Sequence, residues 1–142
     1  MNVRTYLKEI RDFDKLIKIK KEKIQILWSS AMYSGISYEE RVQSSRKLHN
    51  NTDTIDRIIM LENEIKDLQN EIHKRQCEIR KATSELDDVN MVKVLILRYI
   101  ELKPWDNIAE ELSCSRRWVM ELHNRALGKI SNSLVIHIGN VV

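Results

Sequence analysis

The sequence predicts an all-α protein in which two long coiled-coil helices precede a compact helical domain. Glycine and proline are scarce, with three glycines and one proline among 142 residues. Sandwiches, barrels and glycine-looped nucleotide folds need many residues at positive φ or in tight turns, so these folds are excluded. A single phenylalanine and 6% aromatic residues supply little bulk for a large globular core, which favours an elongated helical shape.

The first long helix is predicted over residues 3–32, where apolar side chains repeat with the heptad spacing of a coiled coil. Eight of its nine seam positions are apolar, and Lys20 is the exception. Five lysines are concentrated in one stretch of this helix: Lys15, Lys18, Lys20, Lys21 and Lys23. They either follow a phosphate backbone or keep an exposed helix in solution, and we favour the second interpretation.

A connector is predicted over residues 33–53, because the heptad repeat is lost there and Ser, Asn and Asp become frequent. Gly35 suits a left-handed helix cap, and Ser37 and Glu40 have the spacing of a capping box. The run Asn50-Asn51-Thr52-Asp53 predicts a turn before the next helix.

The second long helix is predicted over residues 54–86, again with eight of nine seam positions apolar and with Arg75 as the exception. The two helices can pair as an antiparallel hairpin, or each can pair with a second chain, and the sequence leaves both arrangements open. Charge in the seam disfavours deep burial at Lys20 and Arg75, so Arg75 is expected to meet an acidic residue of the facing helix. His73 and Cys77 share a face without further ligand-type residues nearby, so no metal site is expected.

A domain boundary is predicted near Asp88, where the strict heptad repeat ends and apolar residues become denser. It divides the chain into a coiled-coil module of residues 1–88 and a compact domain of residues 89–142. The apolar tail from Leu134 is rich in β-branched residues, which predicts that it does not continue a helix. It covers the bundle, pairs as a strand in a dimer or lacks fixed structure.

Three helices are predicted in the compact domain. The first covers residues 90–102 and ends before Pro104, which opens the second, and Ser115 N-caps a third over residues 115–130. The expected inner residues are Val92, Leu95, Ile96, Tyr99 and Ile100, then Ile108, Ala109 and Leu112 with Cys114 in the turn, then Trp118, Val119, Leu122, Ala126, Leu127 and Ile130. This spacing is typical of a helix-turn-helix.

The outward residues of the third helix are those that a recognition helix presents to a major groove. They are Ser115, Arg116, Arg117, Met120, Glu121 and Asn124, and Arg125 and Lys129 extend a basic flank. Arginine reads guanine, asparagine reads adenine, glutamate reads cytosine, and a serine at a helix N-terminus binds phosphate. The alternative is a small helical bundle with a solvated polar face. Two adjacent arginines at a helix N-terminus argue against this alternative. Their charges interact unfavourably with the helix dipole, so their position indicates a function such as anion binding.

The stretch VLILRYIELKPWDNIAEELSCSRRWVMELHNRAL, residues 94–127, resembles region 4 of sigma-70 factors. It is similar to phage and prophage late transcriptional regulators of the ArpU/RinA type, through its L-R-Y, W-x-x-I-A-x-x-L and S-x-x-x-V-x-x-L elements. Ser113 stands where that family often has glycine. The resemblance implies a sigma-70 region 4-like helix-turn-helix domain, DNA contact by the outward residues of the third helix, and N-terminal helices used for assembly or polymerase contact.

We therefore expect a sequence-specific regulator of transcription that binds double-stranded DNA as a homodimer, with RNA polymerase as a further candidate partner. Two other functions remain open. One is a small terminase-like DNA-packaging protein, which assembles as a ring. The other is a sigma-like adaptor that binds RNA polymerase or another protein through its coiled coil.

Enzymatic activity, a bound cofactor and membrane association are not expected. No nucleophile, base and acid occur in a recognisable pattern, and no phosphate loop or metal-ligand spacing is present. No apolar run is long enough to span a bilayer, and the charged N-terminal stretch lacks a signal-peptide core. Cys77 and Cys114 are far apart, as in proteins of reducing compartments. These features predict a soluble intracellular protein, and the resemblance to phage and prophage regulators implies the bacterial cytoplasm and association with the nucleoid.

Overall fold

All secondary structure is helical in the computed structural model, which describes residues 2–34 and 44–139. The helices are α1 (Val3–Ser34), α2 (Ser44–Thr83), α3 (Val89–Leu95) with a π-helical turn that continues it (Ile96–Ile100), α4 (Trp105–Glu111) and α5 (Arg116–Gly139). The all-α prediction is confirmed for these residues. No helix among them is both long enough and apolar enough to cross a membrane.

The chain divides into two compact units whose boundaries fall inside the long helices. The core unit comprises Met1–Asp12 and Glu71–Val142, and the two-helix unit comprises Phe13–Asn70. This division differs from the boundary predicted near Asp88. The reason is that the first turns of α1 and the end of α2 bury apolar side chains together with α3, α4 and α5.

Part of the segment predicted as a connector is helical in the structure. Residues 44–53 belong to α2, so the turn predicted at residues 50–53 is wrong. Asn, Thr and Asp have only modestly poor helix propensity, and a run of them does not by itself end a helix. At its other end α2 stops at Thr83 rather than near residue 86. The cap at Gly35 and the capping box of Ser37 and Glu40 lie outside the described residues.

Segments of α1 and α2 pair within the chain in each unit. In the two-helix unit, Lys20 Nζ donates to Glu64 Oε2 at 2.6 Å, and Ile17, Ile58 and Ile65 are buried. In the core unit, Arg75 Nη1 donates to Glu9 Oε2 at 2.5 Å. The acidic partner predicted for Arg75 is therefore confirmed, but the expectation of shallow burial is wrong, because Arg75 is 7% exposed.

The core unit is built around fully buried side chains from all five helices. Those that are entirely removed from solvent are Leu7, Ile10, Ile79, Val94, Leu95, Ile108, Val119, Ala126, Ile130 and Leu134. Burial of one such aliphatic side chain larger than alanine contributes about 1.5–3 kcal/mol. This core holds the predicted helix-turn-helix in place.

The first helix of the compact domain is irregular. The Asp88 carboxylate caps α3 by accepting from the backbone N–H of Asn90 at 2.9 Å. The π-helical turn that follows adds one residue to a turn and changes which side chains face inward. Val92, Ile96 and Ile100, which were predicted to face inward, are only half-buried, and the buried positions are Met91, Val94, Leu95, Leu97 and Tyr99.

The turn between α4 and α5 is a Schellman motif. Ser113 has a positive φ of 54°, its N–H bonds to the carbonyl of Glu110 at 3.1 Å, and the Cys114 N–H bonds to the carbonyl of Ala109 at 2.9 Å. Serine therefore takes the left-handed conformation that glycine adopts most easily. Cys114 is half-buried against the core, close to its predicted role.

Helix α5 begins as predicted and ends later. The Ser115 hydroxyl accepts the backbone N–H of Trp118 at 3.1 Å, so the N-cap prediction is confirmed. The helix continues through Gly128 to Gly139, and the prediction that the segment from Leu134 leaves the helix is wrong for residues 134–139. Ile130 and Leu134 are fully buried, and their packing outweighs the weak helix propensity of the β-branched residues.

Candidate nucleic-acid interface

Helix α5 presents one polar side to solvent. At 3.6 residues per turn, the buried residues Val119, Leu122, Ala126 and Ile130 form one stripe. The opposite stripe consists of Arg117, Glu121, Asn124 and Gly128, and all four are exposed. Arg116 and Met120 lie along one flank of this stripe, and Trp118, Arg125 and Lys129 lie along the other.

The sequence-predicted site residues all lie on this exposed side or at its flanks. Those that are exposed are Ser115, Arg116, Arg117, Glu121, Asn124, Arg125 and Lys129, and Met120 is half-buried. Their net charge is positive, because Glu121 is the one carboxylate among four cations. The helix therefore combines hydrogen-bonding groups with positive charge on a single face.

Two of these side chains have partners in the core unit. Arg116 Nη1 lies 3.4 Å from Asp106 Oδ1, but the two side chains are 62% and 76% exposed, so the ion pair contributes little and exchanges easily. Asn124 Oδ1 accepts from Arg4 Nη2 at 2.8 Å. The amide oxygen expected to accept from adenine is thus already bound by a cation of α1.

Trp118 is a correction to the predicted inner face. It is 40% exposed rather than buried, and the Arg125 guanidinium carbon lies 5.4 Å from the ring centroid. The first turn of α5 therefore places a large aromatic surface beside the basic flank. An exposed tryptophan with an arginine over its ring can make apolar contacts with a base or sugar.

A basic cavity adjoins α5 and was not predicted from the sequence. Its volume is about 220 Å³, and its lining residues are Arg4, Lys8, Arg11, Arg98, Tyr99, Trp105, Met120 and His123. Arg4, Lys8 and Arg11 are spaced by four and three residues, so their common helix face is visible in the sequence. The packing of that face beside α5 is not visible, because it depends on tertiary contacts between the start of α1 and the helix-turn-helix.

The wall of the cavity contains a buried polar pair, Tyr99 and His123. Tyr99 Oη lies 2.5 Å from His123 Nε2, and the His123 ring packs edge-on against Trp105 with ring centroids 4.8 Å apart. Burial, followed by the positive charges of Arg4 and Arg98, lowers the pKa of His123 to about 4. Burial raises the pKa of Tyr99 to about 12. Both groups are neutral at pH 7.

Within the described residues, no three His, Cys, Asp or Glu side chains come together as metal ligands do. His73 Nε2 and Cys77 Sγ approach to 3.6 Å on the exposed side of α2. Two such groups without a third do not hold a structural metal ion.

A family model described as "Protein of unknown function (DUF1492)" matches residues 31–131, which is more than two thirds of the chain. The chain belongs to this family. No curated protein and no solved structure matches the chain. The family match begins near the end of α1 and includes α2, α3, α4 and residues 116–131 of α5.

Proposed function

We propose that this chain is a sequence-specific DNA-binding transcriptional regulator of phage or prophage type, which acts in the bacterial cytoplasm at the nucleoid. In this proposal α5 enters the major groove of double-stranded DNA. The observation that carries it is the exposed face of α5, where Arg116, Arg117, Glu121 and Asn124 lie together just after the Ser115 cap. The phage or prophage assignment depends on the resemblance of residues 94–127 to sigma-70 region 4 and to ArpU/RinA-type regulators.

Different residues of this face suit contacts to base edges and contacts to phosphates. Arg117 and Glu121 lie along the middle of the exposed stripe, where a recognition helix contacts base edges, and Asn124 lies beside them with its amide oxygen bound to Arg4. The flanking cations Arg125 and Lys129 suit contacts to the phosphate backbone, which position the protein but carry no sequence information.

Exposed apolar residues in the two-helix unit support assembly as a homodimer. A groove of about 340 Å³ between α1 and α2 is lined by Ile26, Leu27, Met60 and Leu61. Ile26 is 65% exposed and Met60 is 60% exposed. Two helices alone cannot cover such a face, and a second pair of helices does so in a four-helix bundle. A dimer would place two α5 helices on one DNA molecule.

Selection of bound fragments from genomic DNA of the source tests the proposal. The full chain is mixed with sheared genomic DNA at physiological salt, and the bound fragments are sequenced. Enrichment of one motif is the expected result, because base contacts add discrimination to the general attraction of phosphates. Recovery of fragments without a shared motif contradicts sequence-specific binding.

The oligomeric state distinguishes the regulator from the packaging protein. Size-exclusion chromatography with light scattering is expected to give the mass of two chains. A ring of eight or more chains contradicts the regulator and favours the terminase-like function. RNA polymerase pull-down with and without DNA then shows whether polymerase contact accompanies DNA binding or replaces it.

A further inference from the structure

The basic cavity beside α5 has an unusual charge balance. Among the described residues that line it there are four cations, Arg4, Lys8, Arg11 and Arg98, and no carboxylate. Its volume of about 220 Å³ would hold roughly seven waters at about 30 Å³ each. It is therefore large enough for a hydrated anion.

Neutral partners hold the arginines in place. Arg11 Nη1 and Arg98 Nη1 both donate to the Lys103 carbonyl oxygen, at 3.3 and 3.1 Å. Arg98 also stacks on Trp105, with its guanidinium carbon 4.1 Å from the ring centroid. Arg4 is held by the Asn124 amide oxygen. None of these contacts neutralises a charge.

The convergence of cations has a measurable electrostatic cost. Burial, and then the charge of Arg11, lower the pKa of Arg98 to about 10. Arg4 and Arg98 in turn lower the pKa of the buried His123. The charged form of Arg98 is thus disfavoured by burial and then by Arg11, and an anion in the cavity would offset both effects.

We propose that this cavity binds a phosphate group through Arg4, Lys8, Arg11 and Arg98. Arginine guanidinium groups donate two parallel hydrogen bonds to phosphate oxygens, and lysine adds a point charge. Met120 and His123 of α5 form part of the wall, and Arg4 contacts Asn124, so the cavity lies at the edge of the DNA-reading face. The phosphate is that of the DNA backbone if α5 binds DNA, so this source depends on the proposed function. A free phosphate or pyrophosphate is the other source of the same chemistry.

The double substitution Arg4→Gln and Lys8→Gln tests the site. Both side chains are exposed, so the variant is expected to fold, and far-UV circular dichroism checks this. The matched control is Lys66→Gln with Lys74→Gln, which removes the same charge from exposed positions of α2 that do not line the cavity. All measurements use the full chain.

The first measurement uses inorganic phosphate and pyrophosphate as probes in thermal unfolding, at an ionic strength kept constant with sodium chloride. Phosphate binding raises the Tm of the folded chain by mass action. We expect this rise in the wild type and the control and its loss in the Arg4→Gln/Lys8→Gln variant. This measurement stays informative if the wild type binds no DNA at all.

The second measurement follows binding of a fluorescent duplex from the genomic selection across a salt series. Loss of the phosphate contact in the cavity is expected to weaken selected and scrambled duplexes alike by about tenfold or more, and to reduce the salt slope by about 1. If the Arg4→Gln/Lys8→Gln variant loses the phosphate-induced rise in Tm but keeps the salt slope, the site exists and its ligand is a free phosphate. If the salt slope of the variant is reduced, the site exists and its ligand is a phosphate of the DNA backbone. A variant that equals the control in both measurements overturns the proposal.

Discussion

Substitution of the buried Arg75 by alanine is expected to destabilise the protein far more than substitution of Lys20, although both interrupt a coiled-coil seam. Arg75 is 7% exposed, donates to Glu71 Oε1 at 3.0 Å and to the Tyr6 carbonyl at 2.8 Å, and also pairs with Glu9. Its guanidinium lies 4.2 Å from the centroid of the Tyr6 ring. Truncation removes all these contacts and leaves two partly buried carboxylates without their cation.

The size of the effect follows from the exposure of the partners. Removal of one member of a buried ion pair costs about 3–5 kcal/mol. The side chains of Glu9 and Glu71 are 28% and 38% exposed, so they regain some hydration, and the lower end of about 3 kcal/mol is expected. Lys20 and Glu64 are 23% and 44% exposed, which predicts a loss of only about 0.5 kcal/mol for Lys20→Ala.

Thermal unfolding followed by circular dichroism measures the difference. With an unfolding entropy of about 2 cal/mol/K per residue, the expected decrease in Tm is roughly 10 °C for Arg75→Ala and about 2 °C for Lys20→Ala. Urea titration gives the same comparison as free energies of unfolding. If the decreases in the free energy of unfolding agree within about 1 kcal/mol for the two variants, the buried contacts of Arg75 do not stabilise the core unit as expected.

Three further predictions concern the turn, the buried histidine and the two-helix unit. Ser113→Gly is expected to raise the free energy of unfolding by about 0.5–1 kcal/mol, because glycine adopts a positive φ without strain; a decrease in urea titration would contradict the Schellman geometry. The pKa of His123 is about 4 in the folded chain, below its ordinary value of 6.5, so the unfolded chain takes up this proton first as the pH falls. The stability advantage of wild type over His123→Gln is therefore fully present above pH 6.5, and it decreases by about 3 kcal/mol as the pH falls to about 4. Urea titrations at pH 7, 5.5 and 4 measure the free energy of unfolding of both proteins, and an unchanged difference between them would contradict the neutral burial of His123. Ile26→Lys combined with Met60→Lys is expected to change the mass seen by light scattering from two chains to one, whereas an unchanged mass of two chains places the dimer interface elsewhere.

The sequence was sufficient for the elements that depend on local signals. The heptad repeats predicted both long helices, and Ser115 predicted the start of α5. These features succeed because capping and helical periodicity involve residues within a few positions of one another.

The remaining features depend on contacts between distant parts of the chain. Burial of Ile130 and Leu134 extends α5 beyond the end that β-branched residues predict. The π-helical turn at Ile96–Ile100 departs from the 3.6-residue period, so a helical periodicity does not predict it. The basic cavity likewise joins Arg4 to Asn124, which are 120 positions apart. Spacing within one helix does not predict such a pairing.

Base reading by the exposed face of α5 is tested by fluorescence anisotropy of the full chain on a selected duplex and on its scrambled counterpart. The proteins compared are the wild type, Arg116→Ala with Arg117→Ala, and the control Lys66→Ala with Lys74→Ala. Wild type and control are expected to prefer the selected duplex, and the arginine variant is expected to lose at least about tenfold of that preference, since a good base contact contributes about 1–3 kcal/mol. An arginine variant that keeps the full preference at physiological salt would contradict the assignment of α5 as the recognition helix.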